Sequence, residues 1–121
     1  MLAEKRITSW PDPTRVASDV YKLILENERV RVFDVRFKPG QKAVMHTHPA
    51  HVVYVLDDYT LNLEIPEREA QEIPLKAGQT IYMEAGPHAA QNIGKTEGHA
   101  LVIELKEPQK KPDRHSSSGM I

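Results

Sequence analysis

Short apolar runs with a period of two, broken by turn residues about every 8–12 positions, occupy the chain from Tyr21 to Lys106 and predict β-strands. In the clearest, Tyr59, Leu61, Leu63 and Ile65 alternate with Thr60, Asn62 and Glu64, so one face is buried and the other wetted. Further strands are predicted over residues 21–25, 29–38, 44–48, 52–56, 71–75, 80–84, 88–93 and 99–106. Within 29–38 the apolar phase begins at Val30 and Val32, then moves to Phe33, Val35 and Phe37, which predicts an extra residue inserted at a β-bulge. Helical periodicity is nearly absent. Eight or nine strands without helices predict an all-β fold, a closed or double-sheet β-barrel of the jelly-roll kind, which removes exposed edges.

The ends of the chain follow other rules. Trp10-Pro11-Asp12-Pro13 does not fit inside a regular helix, because proline lacks an N–H and biases the residue before it toward extended geometry. Residues 1–18 are therefore expected to form an arm with room for one short turn. Pro108, Pro112 and Ser116-Ser117-Ser118-Gly119 interrupt a polar stretch, and residues 108–121 are expected to be a flexible tail. One domain over 19–107 remains, in keeping with the single modest core that 121 residues allow.

Composition removes several functions. Sixteen Lys and Arg against seventeen Asp and Glu leave a formal charge of -1, which provides no field for holding a phosphate backbone, so no nucleic-acid partner is expected. No cysteine is present, which excludes thiolate metal sites, disulfides and a cysteine nucleophile. The first fifteen residues lack the apolar run of a secretory signal, and no stretch approaches the roughly 18 apolar residues that span a bilayer. A cytoplasmic protein without a membrane partner is expected. Sequence motifs for a serine nucleophile elbow, a P-loop or a dinucleotide fingerprint are absent.

Six histidines in so short a chain point elsewhere. His46-Thr47-His48 places two imidazoles on one strand face about 6.5–7 Å apart, within reach of one ion bound at about 2.0–2.1 Å. His51 follows Pro49-Ala50, a turn after which alternation no longer determines its direction. His88 follows Gly86-Pro87 at the head of a later strand and meets the first pair only through the fold. His99 and His115 carry no motif and are read as solvated surface residues. Asn92 is read as satisfying backbone groups, and Gln91 as facing away from His88 and Asn92.

The stretch from Gly40 to His46-Thr47-His48 resembles the first cupin motif, a glycine, five residues and HxH. The stretch from Gly78 through Gly86-Pro87-His88 to Asn92 resembles the second. The two cover roughly residues 40–92 in the family's order. The glutamate of the first motif is absent, and His51 falls in its place when Val53-Tyr54-Val55-Leu56 is aligned with the strand that usually follows. Glu84 stands where the second motif has its first proline, and His88 comes one position early.

The resemblance implies a cupin-type jelly-roll β-barrel, or double-stranded β-helix, with His46, His48 and His88 holding a divalent transition metal. It makes His51 the fourth ligand, as in small single-domain cupins with all-histidine sites. The ion implied is one of Fe, Ni, Mn, Cu or Zn, and imidazole suits Fe, Ni, Cu and Zn about equally. Imidazoles alone leave the ion's charge uncompensated, which makes it a stronger Lewis acid. The ligand or substrate implied is a small oxygen-bearing molecule, and an enzyme of this kind would be a dioxygenase, an isomerase or a lyase. Tyr82 and Glu84 share a strand face and are the candidate catalytic proton-transfer groups. The alternative is a non-catalytic module that binds or senses a small ligand or the metal itself. A homodimer is also implied, with the arm around Trp10 and the apolar run Val20–Leu25 available for exchange.

Overall fold

Asp12 lies between two prolines, and in a computed structural model, which describes residues 10–107, it is the N-cap of a single helical turn, α1 (Pro13–Val16). Its carboxylate accepts from the Thr14 amide at 3.0 Å, and Pro13 opens the turn, where its missing N–H removes no bond. The expectations for residues 1–9 of the arm and for the tail 108–121, His115 included, lie outside the described residues.

Nine strands follow: β1 (Tyr21–Glu26), β2 (Val30–Phe37), β3 (Lys42–His48), β4 (His51–Asp57), β5 (Tyr59–Glu64), β6 (Gln71–Leu75), β7 (Thr80–Met83), β8 (Gly86–Asn92) and β9 (Gly98–Leu105). They form a five-stranded sheet in the order β1-β2-β9-β4-β7 and a four-stranded sheet in the order β3-β8-β5-β6, antiparallel throughout. Their facing sides enclose Phe33, Val35, Phe37, Val55, Leu63 and Val102 in the core. Of the two arrangements expected, the double sheet is the one formed. Among the described residues no ladder closes the sheets into a barrel, and β7 and β6 at their edges are short, with four and five residues. No helix there is long and apolar enough to cross a membrane.

The bulge expected in β2 is not there. β2 pairs with β9 in unbroken register from Val30 opposite Leu105 to Phe37 opposite Gly98. Val30 and Val32 simply face outward, because Arg31 faces inward with Phe33, Val35 and Phe37. The irregularity lies on the neighbouring strand β1, between Leu23 and Leu25. A second shift interrupts β3: Ala43 pairs with Ala90 and His46 with His88, so β3 spends one residue more than β8 over that interval.

Candidate metal centre

The β3 bulge decides where the histidines point. Ala43 is buried, and uninterrupted alternation would carry Met45 and Thr47 inward with it, leaving His46 and His48 outside. The inserted residue reverses the phase, and both imidazoles enter the space between the sheets, His46 at 0% and His48 at 2% exposure. β4 begins at His51, which shares its inward face with Val53 and Val55. β8 starts two residues earlier than expected, at Gly86, and this sets His88 directly across from His46.

The rings form one cluster. Centroids of His46, His48 and His88 are 4.8–5.0 Å apart, and the nitrogen atoms they offer all lie within 4.8 Å of one another. His51 adjoins them, 4.6 Å from His48 and 6.2 Å from His88 between centroids.

Three of the rings have their inner nitrogen engaged by an acceptor, which establishes the tautomer. His46 donates Nδ1–H to the Val44 carbonyl at 2.6 Å, His51 to the Pro49 carbonyl at 2.8 Å, and His48 to the Glu104 carboxylate at 2.6 Å. Each Nε2 is then an unprotonated donor atom, and those of His46 and His48 face each other at 3.1 Å. Burial favours neutral rings at all four positions. It pushes His48 down to about 2, with His51 and His46 adding to the effect, and it lowers His88 well below the ordinary histidine value. His46 and His51 are lowered by the same desolvation, against the hydrogen bonds to Val44 and Pro49.

Glu104, 1% exposed, went unread in the sequence. It follows Ala100 and Val102 on the inner face of β9, so an inward carboxylate on an otherwise apolar face was the available signal. Burial raises its pKa, and Arg31 opposes this by binding Oε1 through Nε at 2.9 Å and Nη2 at 2.8 Å. Arg31 in turn holds Asp12 at 2.7 Å. The arm is bound to the same place, because the Thr47 amide donates to the Pro11 carbonyl at 2.9 Å.

Tyr82 and Glu84 are placed otherwise than expected. Ile81 and Met83 line the interior, so alternation turns Tyr82 outward at 57% exposure, and Glu84 is exposed beyond the end of β7. Neither faces the histidines. The buried tyrosines are Tyr21, whose ring lies 5.2 Å from His46 and 5.3 Å from His48, and Tyr59. His99 is no free surface residue, since its Nε2 lies 2.5 Å from Asp34 Oδ1. Asn92 does satisfy backbone groups, donating to the Phe37 and Thr96 carbonyls, and Gln91 turns outward to the Gly40 carbonyl.

Next to the cluster is a cavity of about 140 Å³ whose walls include His51 and His88 together with Val53, Leu61, Leu63, Ile73 and Met83. The donor set fits a metal. Two nitrogens bound at about 2.0–2.1 Å to one ion are about 2.9–3.4 Å apart for octahedral to tetrahedral angles, which brackets the separation found here.

No protein-family model and no curated protein matches the chain. Solved structures do. An RmlC-like cupin family protein with a double-stranded β-helix fold from Methanocaldococcus jannaschii is similar over 87% of this chain and 89% of its own, at 13% identity and a TM-score of 0.60. A predicted oxalate decarboxylase from Thermotoga maritima is similar over 71% of this chain and 79% of its own, at 21% identity and a TM-score of 0.51. These two share the fold. A cupin domain from Bordetella pertussis Tohama I is 31% identical over 73% of this chain and 93% of its own, with a TM-score of 0.69. Identity at that level across nearly the whole of a cupin domain goes beyond a shared fold, and the chain belongs to the cupin superfamily.

Proposed function

We propose that the protein binds one divalent transition metal ion, Fe, Ni, Mn, Cu or Zn, on His46, His48 and His88 with His51 as fourth ligand, and presents it to a small oxygen-bearing molecule. The facing Nε2 atoms of His46 and His48 carry this reading. Both rings already use their Nδ1 proton on an acceptor, so a hydrogen bond between the two Nε2 atoms would need an imidazolium that burial disfavours. A shared cation relieves the repulsion of two lone pairs. When bound, an ion held by neutral imidazoles supplies Lewis acidity to an oxygen ligand.

The chain's own residues supply the rest. Glu104 orients His48 and sets its tautomer, as outer carboxylates do for metal-binding histidines. The apolar walls keep water from the bound molecule, and the Tyr21 ring packs against the cluster. A dioxygenase, isomerase or lyase of this kind would draw on Tyr21 for proton transfer in place of Tyr82 or Glu84.

One observation favours the second reading, a non-catalytic binding module. Among the described residues no carboxylate or lysine lines the cavity, and apart from histidines the only groups able to exchange a proton are the hydroxyls of Tyr21 and Tyr59. Burial raises both, Tyr59 to about 12, so neither is poised near neutral pH.

Protein purified without added ions is expected to carry about one equivalent of transition metal by elemental analysis. The His46→Ala, His48→Ala double variant should lose it while keeping its β-sheet circular dichroism, and unchanged metal content would defeat the assignment. Oxygen uptake with diketones, thiol acids and keto acids then separates a dioxygenase from a binder.

A further inference from the structure

The cavity next to the histidines has a chemical character that restricts its occupant. Its walls are hydrocarbon, from residues such as Phe37, Leu61, Leu63, Leu75 and Ile81, and among the described residues no Lys, Arg, Asp, Glu, Asn or Gln contributes to them. The guanidinium behind His48, that of Arg31, is spent on Glu104 and Asp12. Polarity is confined to two kinds of group. His51 and His88 line both the cavity and the cluster, and Tyr21 and Tyr59, each 6% exposed, contribute their rings to its walls.

We propose that this cavity takes a compact apolar molecule of about the bulk of a benzene ring, with a single oxygen-bearing head directed at His51 and His88, and that it rejects dicarboxylates. Size supports the first part, since an apolar cavity of about 150 Å³ accommodates benzene. Chemistry supports the second. A head group has the histidines and their ion to receive it, whereas a second carboxylate would be left in hydrocarbon with no cation.

The position of the head rests on the metal reading above, and the body of the ligand does not, so the test separates them. Benzene, benzoate and terephthalate are titrated into the full-length protein loaded with Zn(II), and into the same protein after chelation, with binding followed by NMR of the Tyr, Leu and Ile side chains. Benzene is expected to perturb the cavity residues in both forms. Benzoate should bind at least about tenfold more tightly with the ion present, and terephthalate, which differs only by a second carboxylate, at least about 100-fold more weakly than benzoate. Terephthalate binding as well as benzoate would overturn the proposal, as would Zn(II)-loaded protein that ignores both benzene and benzoate. Benzene and benzoate binding that is indifferent to chelation would uphold the apolar pocket and count against the metal alone. In an Ala100→Leu variant that fills the cavity, benzene binding should be lost with Zn(II) uptake kept; if that variant fails to fold, the comparison of benzoate with terephthalate decides.

Discussion

His48 donates to Glu104, Glu104 is gripped by Arg31, and Arg31 reaches out to Asp12 on the arm, so the orientation of one histidine is set by three charged groups outside the cluster. Glu104→Gln keeps the shape but removes the carboxylate that holds Nδ1–H. Zn(II) affinity, measured by competition with a chromophoric chelator, should fall about 10–100-fold, and an unchanged affinity would assign Glu104 a purely structural part. A second charged contact lies on the outer face, away from the histidines. Burial alone would raise Asp34, but hydrogen bonds from His99 at 2.5 Å and Arg36 at 2.9 Å outweigh it and hold the carboxyl below the ordinary aspartate value. A group depressed in this way adds stability above its unfolded pKa, and that contribution is lost as pH falls through the folded value. Asp34→Asn should therefore destabilise the protein in urea at neutral pH, with the gap to the native chain narrowing below about pH 3.

Two elements owe their position to irregularities. The β3 bulge turns His46 and His48 inward, and the early start of β8 at Gly86 brings His88 opposite His46. At the head of β9, Gly98 lies under the Tyr59 ring, where a Cβ would collide with the aromatic carbons. No flexible side chain end is available to give way, because Tyr59 is itself buried against Phe37. Gly98→Ala should cost about 1–3 kcal/mol by overpacking and lower the melting temperature by several degrees, read by thermal denaturation.

Across the whole molecule the outer side of the five-stranded sheet carries an apolar row. Pairing aligns Leu25, Val32, Ile103, Val52 and Tyr82 side by side over all five strands. Leu25 and Tyr82 at its ends are 48% and 57% exposed. We propose this row as the contact of the homodimer that the cupin resemblance implies. By light scattering after size exclusion, the native chain is expected to run as a dimer and the Leu25→Lys, Tyr82→Lys variant as a monomer. A monomeric native chain would remove the dimer.

Period-two patterning was enough to place the strands, because burying one face of a sheet imposes alternation that the residue types record directly, as from Tyr59 to Ile65. The same rule misread β2, since Arg31 points inward where hydropathy puts a charge outside. It also missed the β3 bulge, since polar histidines hide the phase break. Spacing and motif singled out His46, His48, His51 and His88 as chemistry-bearing residues. That Glu104 and Arg31 stand behind His48, and that the cavity is hydrocarbon, were decided by tertiary structure. Those outcomes depend on register between strands far apart in the chain, and a residue's own neighbours carry no information about which distant strand will lie beside it.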